Sequence, residues 1–279
     1  MTQTQSSLIK LITGIPRSGT TLCCNLLNQC DNTLALHEPI DPQKLTSTES
    51  HLAVQALTQQ ISMIRQSLES NRPIEHGDKA GIALDNPVGN KANEKGLRSL
   101  KASRGKITLP AIDKSTQLFV KQNALFTALA MELKRQYSVI AIVRNPVDVL
   151  LSWMTVDLPV NRGRLPAGEK FDTKLAKELS QGSVLERQIA IYRWFIEKFK
   201  QAHLCQVHYE DIIESNGQAL YSALDIEHIT SLSQIERTFS PSTLSQLENN
   251  WSQILSLGID AGYTGDFLNK RLAHHLSSN

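Results

Sequence analysis

The sequence predicts an α/β fold in which a central parallel sheet is flanked by helices on both faces. Residues 8–13 form a short apolar run that precedes a glycine-bounded turn and a helical pattern beginning at Thr20. A strand, a loop and a helix in this order open nucleotide-binding α/β folds. Ser138–Val143 is a continuous, β-branched apolar run, which is typical of a strand buried on both faces. We expect this strand at the centre of the sheet.

The remaining elements follow from apolar spacing along the chain. Further strands are predicted at residues 33–36, 117–121 and 203–208, helices at 20–30, 49–68 and 124–135, and a mainly helical segment at 175–200. Another helix is predicted from Pro146, with Asn145 as its N-cap and Asp148 in its first turn. The chain becomes helical again from Gly217 and then glycine-rich over 258–267. No repeat or linker divides it, so we expect one domain spanning residues 1–279.

Two segments, residues 71–106 and 155–170, are predicted to be mobile loops on the substrate side of the site. The first carries Gly, Asn, Lys and Arg with little apolar periodicity. Residues 91–106 hold six basic side chains and one acidic one. That charge indicates either a solvated surface loop or an electropositive rim for an anionic substrate.

The composition excludes several classes of protein. The 279 residues are 41% hydrophobic and 20% charged, as in ordinary globular proteins, and a net charge of +2 does not indicate nucleic acid binding. No apolar run approaches the roughly 18 residues that span a bilayer. The polar N-terminus predicts no secretory signal, and the four cysteines have neither CxxC nor zinc spacing. We expect a cytoplasmic protein without a metal or a membrane partner; the oligomeric state is open.

A modified phosphate-binding loop lies at residues 14–21, which read GIPRSGTT. The segment has the frame of a Walker A loop, but Thr20 stands where that motif has lysine. Its glycines allow backbone N–H groups to surround an anion at the start of the following helix, and the cation is now Arg17. ATPases and kinases use the lysine together with Mg²⁺ on a triphosphate. The P-loop-like frame without that lysine favours a less charged phosphosulfate.

A second anion site is predicted at the end of strand Ser138–Val143. Arg144 closes this strand, and Ser152 lies eight residues later in the predicted helix, roughly 10 Å from its start. A long arginine side chain reaching from the strand end could share a phosphate with that hydroxyl. Two separate phosphate sites suit a nucleotide that is phosphorylated at both the 3′ and 5′ positions.

Three segments resemble sulfotransferases, and they lie in the order that the family has. Residues 16–21 (PRSGTT) resemble the 5′-phosphosulfate loop, 144–153 (RNPVDVLLSW) the 3′-phosphate motif, and 207–213 (VHYEDII) a segment whose tyrosine contacts the nucleotide. The resemblance implies 3′-phosphoadenosine 5′-phosphosulfate (PAPS) as donor and 3′,5′-adenosine bisphosphate as product. The donor-binding residues that it implies are Arg17, Ser18, Gly19, Thr20, Thr21, Arg144, Ser152 and Tyr209.

The sequence departs from animal cytosolic sulfotransferases in two places. Those proteins have a K-x-H pair before the 3′-phosphate motif, whereas this chain has Lys121 with Asn123 in the histidine position. Their C-terminal RKGxxGDWKN segment resembles residues 260–269, which lack the basic pair. The pattern is more similar to bacterial, tyrosyl-protein and carbohydrate-type sulfotransferases, and among these we expect the bacterial small-molecule type. The 3′-phosphate contact of the missing basic pair is expected either to be weaker or to come from another residue, such as Arg162, Arg164 or Arg187.

Sulfuryl transfer requires a base for the acceptor and positive charge for the leaving phosphate. We expect Glu38 to be the base, because tyrosyl-protein and carbohydrate sulfotransferases that resemble this chain place a glutamate after the corresponding strand. His37 is the alternative base. Arg17 and Lys121 are predicted to meet the charge on the leaving group.

The sequence thus predicts sulfuryl transfer from PAPS to a hydroxyl or nitrogen of a small metabolite, for example a natural product. The acceptor pocket is expected within residues 40–106 and 155–185. Two alternatives stay open at this point. One is a P-loop small-molecule or nucleotide kinase, and the other is a non-catalytic nucleotide-binding relative.

Overall fold

A five-stranded parallel sheet forms the centre of the protein, and in spatial order its strands are Cys205–His208, Ser138–Val143, Ile9–Gly14, Gln117–Lys121 and Thr33–His37. The computed structural model describes residues 8–79, 82–83, 88–92, 94, 97–100, 103–230, 232 and 239–277. Within them the strands are β1 (Ile9–Gly14), β2 (Thr33–His37), β3 (Ile74–Lys79), β4 (Ile82–Ala83), β5 (Val88–Ala92), β6 (Arg98–Leu100), β7 (Ser103–Ile107), β8 (Gln117–Lys121), β9 (Ser138–Val143) and β10 (Cys205–His208).

Helices connect the parallel strands and continue to the C-terminus. In chain order the described α-helices are α1 (Thr20–Leu27), α2 (Ser50–Glu69), α3 (Asn123–Ala128), α4 (Ala130–Leu133), α5 (Pro146–Met154), α6 (Pro166–Phe171), α7 (Thr173–Glu178), α8 (Val184–Gln201), α9 (Tyr209–Glu214), α10 (Gln218–Ala223), α11 (Pro241–Glu248), α12 (Trp251–Asp260) and α13 (Gly265–Ser277). Short 3₁₀ helices lie at Pro42–Lys44 and Pro159–Arg162.

Successive residues of a strand point to opposite faces of the sheet. Helices pack against both faces, so the sheet has a core on each side. Ile12 and Ile140 belong to a core with side chains of α1, α9 and α10. Their neighbours Leu11 and Val139 belong to a second core with α2, α5 and α8. The predicted α/β class, with a parallel sheet between two helical layers, is confirmed.

Three local predictions need correction. The central strand is β1, and β9 lies beside it, because an apolar run marks a strand as interior without giving its place in the order. The helix predicted over residues 124–135 is two helices, α3 and α4, interrupted at Leu129. The glycine-rich segment 258–267 belongs to the end of α12, a turn at Gly262 with φ +93°, and the start of α13.

Both segments predicted as loops contain secondary structure. In 71–106, β3 pairs antiparallel with β7, starting from the buried pair Ile74 and Ile107. The sequence did not predict these strands, because their residues are mostly polar and the paired residues lie far apart along the chain. The segment 155–170 holds the 3₁₀ turn at Pro159–Arg162 and most of α6. The mobility of both segments and the single-domain organisation stay predictions.

Candidate active site

The predicted phosphate-binding loop, residues 14–21, connects β1 to α1 and is fixed to neighbouring elements by side-chain and backbone hydrogen bonds. The Ser18 hydroxyl and the backbone N–H of Ile15 both donate to the carbonyl of Ile142, at 3.0 and 3.2 Å. The indole N–H of Trp153, in α5, donates to the Pro16 carbonyl at 2.7 Å. The loop is therefore held in place from β9 and from α5.

Two loop residues have left-handed backbone conformations. Gly19 has φ +92°, and a Cβ atom at this position would lie 2.4 Å from Cδ2 of Tyr209. Glycine is therefore required both by the backbone angle and by the packing of the tyrosine ring. Arg17 has φ +72°, which is uncommon for a residue with a side chain. Such backbone conformations concentrate at functional sites.

Arg17 links the phosphate loop to the predicted 3′-phosphate motif. Its Nε donates to the Ser152 hydroxyl at 3.2 Å. The sequence predicted that Ser152 shares a phosphate with Arg144; that role stays a prediction, and the structure adds the contact of its hydroxyl with Arg17. The helix α5 runs beside the loop, so Ser152 and Trp153 both reach it. The two predicted anion sites are therefore directly joined.

Arg144 is held by an ion pair and by an aromatic ring. Its Nη2 lies 2.9 Å from Oδ2 of Asp148, and its guanidinium carbon lies 4.3 Å from the centroid of the Tyr209 ring. Burial by itself would lower the pKa of Arg144, but the charges of Asp148, Tyr209 and Glu210 outweigh burial and raise the pKa. Within the described part of the chain, the buried Nε of Arg144 has no hydrogen-bonding partner. This arrangement can accept an anion.

Asp148 accepts hydrogen bonds from the residue before α5 and from the distant helix α13. Its carboxylate accepts from Asn145 Nδ2 at 3.0 Å, from Arg271 Nε at 3.0 Å and from His275 Nε2 at 2.7 Å. Burial would raise the pKa of Asp148, but the hydrogen bond from His275 and the charges of Arg144 and Arg271 lower it well below its usual range. The predicted N-cap is confirmed, since Asn145 Oδ1 accepts from the Asp148 backbone N–H.

The third sequence segment lies where β10 meets α9. Glu210 accepts from Asn145 Nδ2 at 2.7 Å and from the Tyr263 hydroxyl at 2.5 Å. Burial, together with the charge of Glu210, raises the pKa of Tyr263. The Tyr209 ring packs against Gly19 of the loop and lies beside the Arg144 guanidinium, so the three segments that resemble sulfotransferases lie together.

The predicted catalytic pair lies at the carboxyl ends of β2 and β8. Lys121 Nζ and Glu38 Oε1 are 2.8 Å apart, and the Glu38 backbone N–H donates to the Lys121 carbonyl at 2.7 Å. The lysine side chain is buried, whereas the Glu38 side chain is 53% exposed. Glu38 has φ +55°, a second uncommon backbone angle at a predicted catalytic position.

His37, the alternative base, is buried and packs edge-to-face against His76, with ring centroids 4.5 Å apart. His76 belongs to β3, in a segment that the sequence predicted as a loop, and no sequence signal pointed to it. Since His37 is enclosed and Glu38 is exposed, Glu38 is the more accessible of the two candidate bases.

The arginines suggested for the missing 3′-phosphate contact have other partners. Arg162 pairs with Asp157, Arg164 pairs with Glu169, and Arg187 donates to the carbonyls of Gly182 and Arg162. Arg271 of α13 is the arginine that shares Asp148 with Arg144. Sequence reasoning missed both Arg271 and His275, because they lie more than a hundred residues from Asp148 and outside any motif.

The described residues contain no group of three or more His, Cys, Asp or Glu side chains arranged to hold a metal ion. None of their helices has both the length and the apolar character needed to cross a bilayer.

Comparison with known proteins identifies the class. The model of the sulfotransferase family matches residues 11–229, and the chain therefore belongs to that family of transferase enzymes. A similar solved structure is a sulfotransferase from Alicyclobacillus acidocaldarius, with 12% sequence identity and a TM-score of 0.41 over 90% of this chain and 93% of that chain. A comparison with curated proteins finds no match. The helix α13 lies beyond the matched segment.

Gly19→Ala should destabilise the protein, because alanine meets both an unfavourable φ and the Tyr209 ring. We expect a loss of about 1–3 kcal/mol in the free energy of unfolding, measured by urea denaturation. Gly265→Ala is the matched control, since its Cβ would meet only Leu255 at 3.8 Å. Equal stability of the two variants would contradict this account of the loop.

Asp148→Asn should be strongly destabilising, because it leaves Arg144 and Arg271 without their shared counter-charge. We expect a loss of roughly 3–5 kcal/mol by urea denaturation. Asp157→Asn removes only an exposed pair with Arg162 and should cost less than about 1 kcal/mol.

The stabilisation from Asp148 should depend on pH in one direction. Because folding lowers its pKa, the contribution is complete above the unfolded value of about 4 and declines as the pH falls towards the folded value. The stability difference between wild type and Asp148→Asn should therefore shrink when urea denaturation is repeated below about pH 4. A constant difference would show that the carboxylate charge is not responsible.

Proposed function

We propose that the protein transfers a sulfuryl group from PAPS to a hydroxyl or nitrogen of a small metabolite, such as a natural product. The observation that carries this proposal is the contact between Arg17 and Ser152, with Tyr209 between the loop and Arg144. This arrangement brings the glycine-bounded loop and the half-buried Arg144 side by side. Such a site suits a nucleotide with anionic groups at both its 5′ and 3′ positions.

The residues present fit this donor. The loop N–H groups and the hydroxyls of Thr20 and Thr21 would hold the 5′-phosphosulfate at the start of α1. Arg144 and Ser152 would hold the 3′-phosphate, a role supported by the buried Arg144 Nε that has no partner among the described residues. Tyr209 would contact the nucleotide. PAPS, when bound, supplies the transferable sulfuryl group, and the absence of a required metal stays a prediction.

In the proposed reaction, Glu38 acts on the acceptor and Lys121 acts on the leaving phosphate. Glu38 removes the proton of the acceptor as its oxygen or nitrogen forms the new bond to sulfur. The bond from sulfur to the donor phosphate breaks, and its electron pair leaves with 3′,5′-adenosine bisphosphate. Proton transfer neutralises Glu38 and weakens its ion pair with Lys121. The ammonium group then becomes available for the charge that develops on the leaving phosphate.

The kinase alternative is disfavoured by membership of the sulfotransferase family and by Thr20 in place of the Walker lysine. A non-catalytic nucleotide-binding relative would have the same nucleotide site. Turnover assays separate that alternative from an enzyme.

The donor assignment is tested by calorimetry with 3′,5′-adenosine bisphosphate and 5′-AMP. Wild type should bind the bisphosphate at least about tenfold more tightly, because a charge-assisted contact to the 3′-phosphate contributes about 1.5–3 kcal/mol. Arg144→Gln should remove most of that preference. Arg193→Gln, an exposed arginine on α8 that pairs with Glu178, is the control. Wild-type binding of the bisphosphate no tighter than that of AMP would overturn the assignment.

Glu38→Gln should lower turnover by roughly 10²–10⁴ while the affinity for 3′,5′-adenosine bisphosphate is kept, because the amide cannot accept the proton. The assay measures sulfate transfer from PAPS to a panel of phenols, alcohols and amines. Glu132→Gln, which removes a surface pair with Arg135, is the matched control. Wild-type turnover in Glu38→Gln would remove this residue from the mechanism, and a loss confined to His37→Gln would identify His37 as the base.

A further inference from the structure

The C-terminal helix α13 contributes side chains to the nucleotide end of the site. It packs against α5, and its residues Arg271 and His275 both contact Asp148. This helix lies outside residues 11–229, which are the part that matches the sulfotransferase family. Its contribution is therefore a feature of this chain that the family match does not assign.

Arg271 and Arg144 share one carboxylate. Arg271 Nε lies 3.0 Å from Oδ1 and 3.1 Å from Oδ2 of Asp148, and Arg144 Nη2 lies 2.9 Å from the same Oδ2. The two guanidinium groups are therefore adjacent and carry two positive charges against the single charge of Asp148. His275 also donates to Oδ1 at 2.7 Å, so the carboxylate is further occupied by a protein donor.

The two arginines retain hydrogen-bonding capacity beyond Asp148. A guanidinium group has five N–H donors, and its planar fork matches phosphate geometry. Within the described residues, the terminal nitrogens of Arg271 have no hydrogen-bonding partner, and Arg144 uses only Nη2. The side chains of Arg271 and Arg144 are 26% and 21% exposed, so an anion can approach them from solvent.

We propose that Arg271 binds the 3′-phosphate of the donor together with Arg144 and so determines the preference for a 3′-phosphorylated nucleotide. This inference rests on the proposed function. Arg271 thereby takes the place of the basic pair that residues 260–269 lack. Asp148 and His275 are positioning residues, because they hold the two guanidinium groups in place and bind no ligand themselves.

The test is calorimetry of wild type, Arg271→Gln and Lys270→Gln with 3′,5′-adenosine bisphosphate and 5′-AMP. Lys270 precedes Arg271 on the same helix and forms an exposed pair with Asp266, so its variant is a matched control. Arg271→Gln should bind the bisphosphate roughly 10- to 100-fold more weakly and bind AMP within about threefold of wild type. Lys270→Gln should keep the wild-type preference.

Each result supports or overturns the inference. An unchanged preference in Arg271→Gln, or an equal loss for both nucleotides, would show that Arg271 only stabilises the fold. A wild type without any preference would overturn the donor assignment and this inference with it. If Arg271→Gln does not fold, Arg271→Lys decides the question. Its single ammonium cannot serve both Asp148 and a phosphate, so its preference should fall at least about fivefold, and a wild-type preference would overturn the proposal.

Discussion

The ion pairs and hydrogen bonds of the buried Asp148 carboxylate are the interactions on which the proposed nucleotide end of the site depends. A buried charge is costly unless charged and hydrogen-bonding partners surround it. Asp148 has such partners in Arg144, Asn145, Arg271 and His275. Asp148 lies in α5, and these partners come from the residues directly before α5 and from α13. One side chain therefore fixes both Arg144 and the position of the C-terminal helix. The arginine is thus oriented before any ligand arrives, which is the condition for electrostatic preorganisation.

The opposite end of the site depends on backbone geometry. Arg17 and Glu38 both have left-handed conformations that side chains rarely adopt, and each lies directly after or near the end of a sheet strand. Such strain persists only where the surroundings impose it. Trp153 and Ser152 hold the loop around Arg17, and Lys121 holds Glu38. The parallel sheet brings both positions to the carboxyl ends of its strands, where ligands bind in folds of this class.

The segments that we expect to form the acceptor pocket have more contacts with each other than their sequence indicates. Lys170 of α6 donates to the carbonyls of Pro42 and Leu45, so the segment after α5 is tied to the segment after β2. His76 of β3 packs against His37 at the end of β2. The expected acceptor segments therefore contact one another and the end of β2, next to Glu38. We infer that the shape of the acceptor pocket depends on these connections as well as on loop composition.

The sequence by itself determined the class of fold, the positions of the main strands along the chain and the three segments that resemble sulfotransferase motifs. Each of these is encoded locally, by apolar periodicity, glycine position or fixed spacing within about ten residues. Only the tertiary structure decided that Ser152 contacts Arg17, that Glu38 pairs with Lys121, and that Arg271 and His275 reach Asp148. These pairs join residues 83 to 135 positions apart. No local pattern encodes such contacts, because they depend on how the strands are ordered and where the C-terminal helix packs.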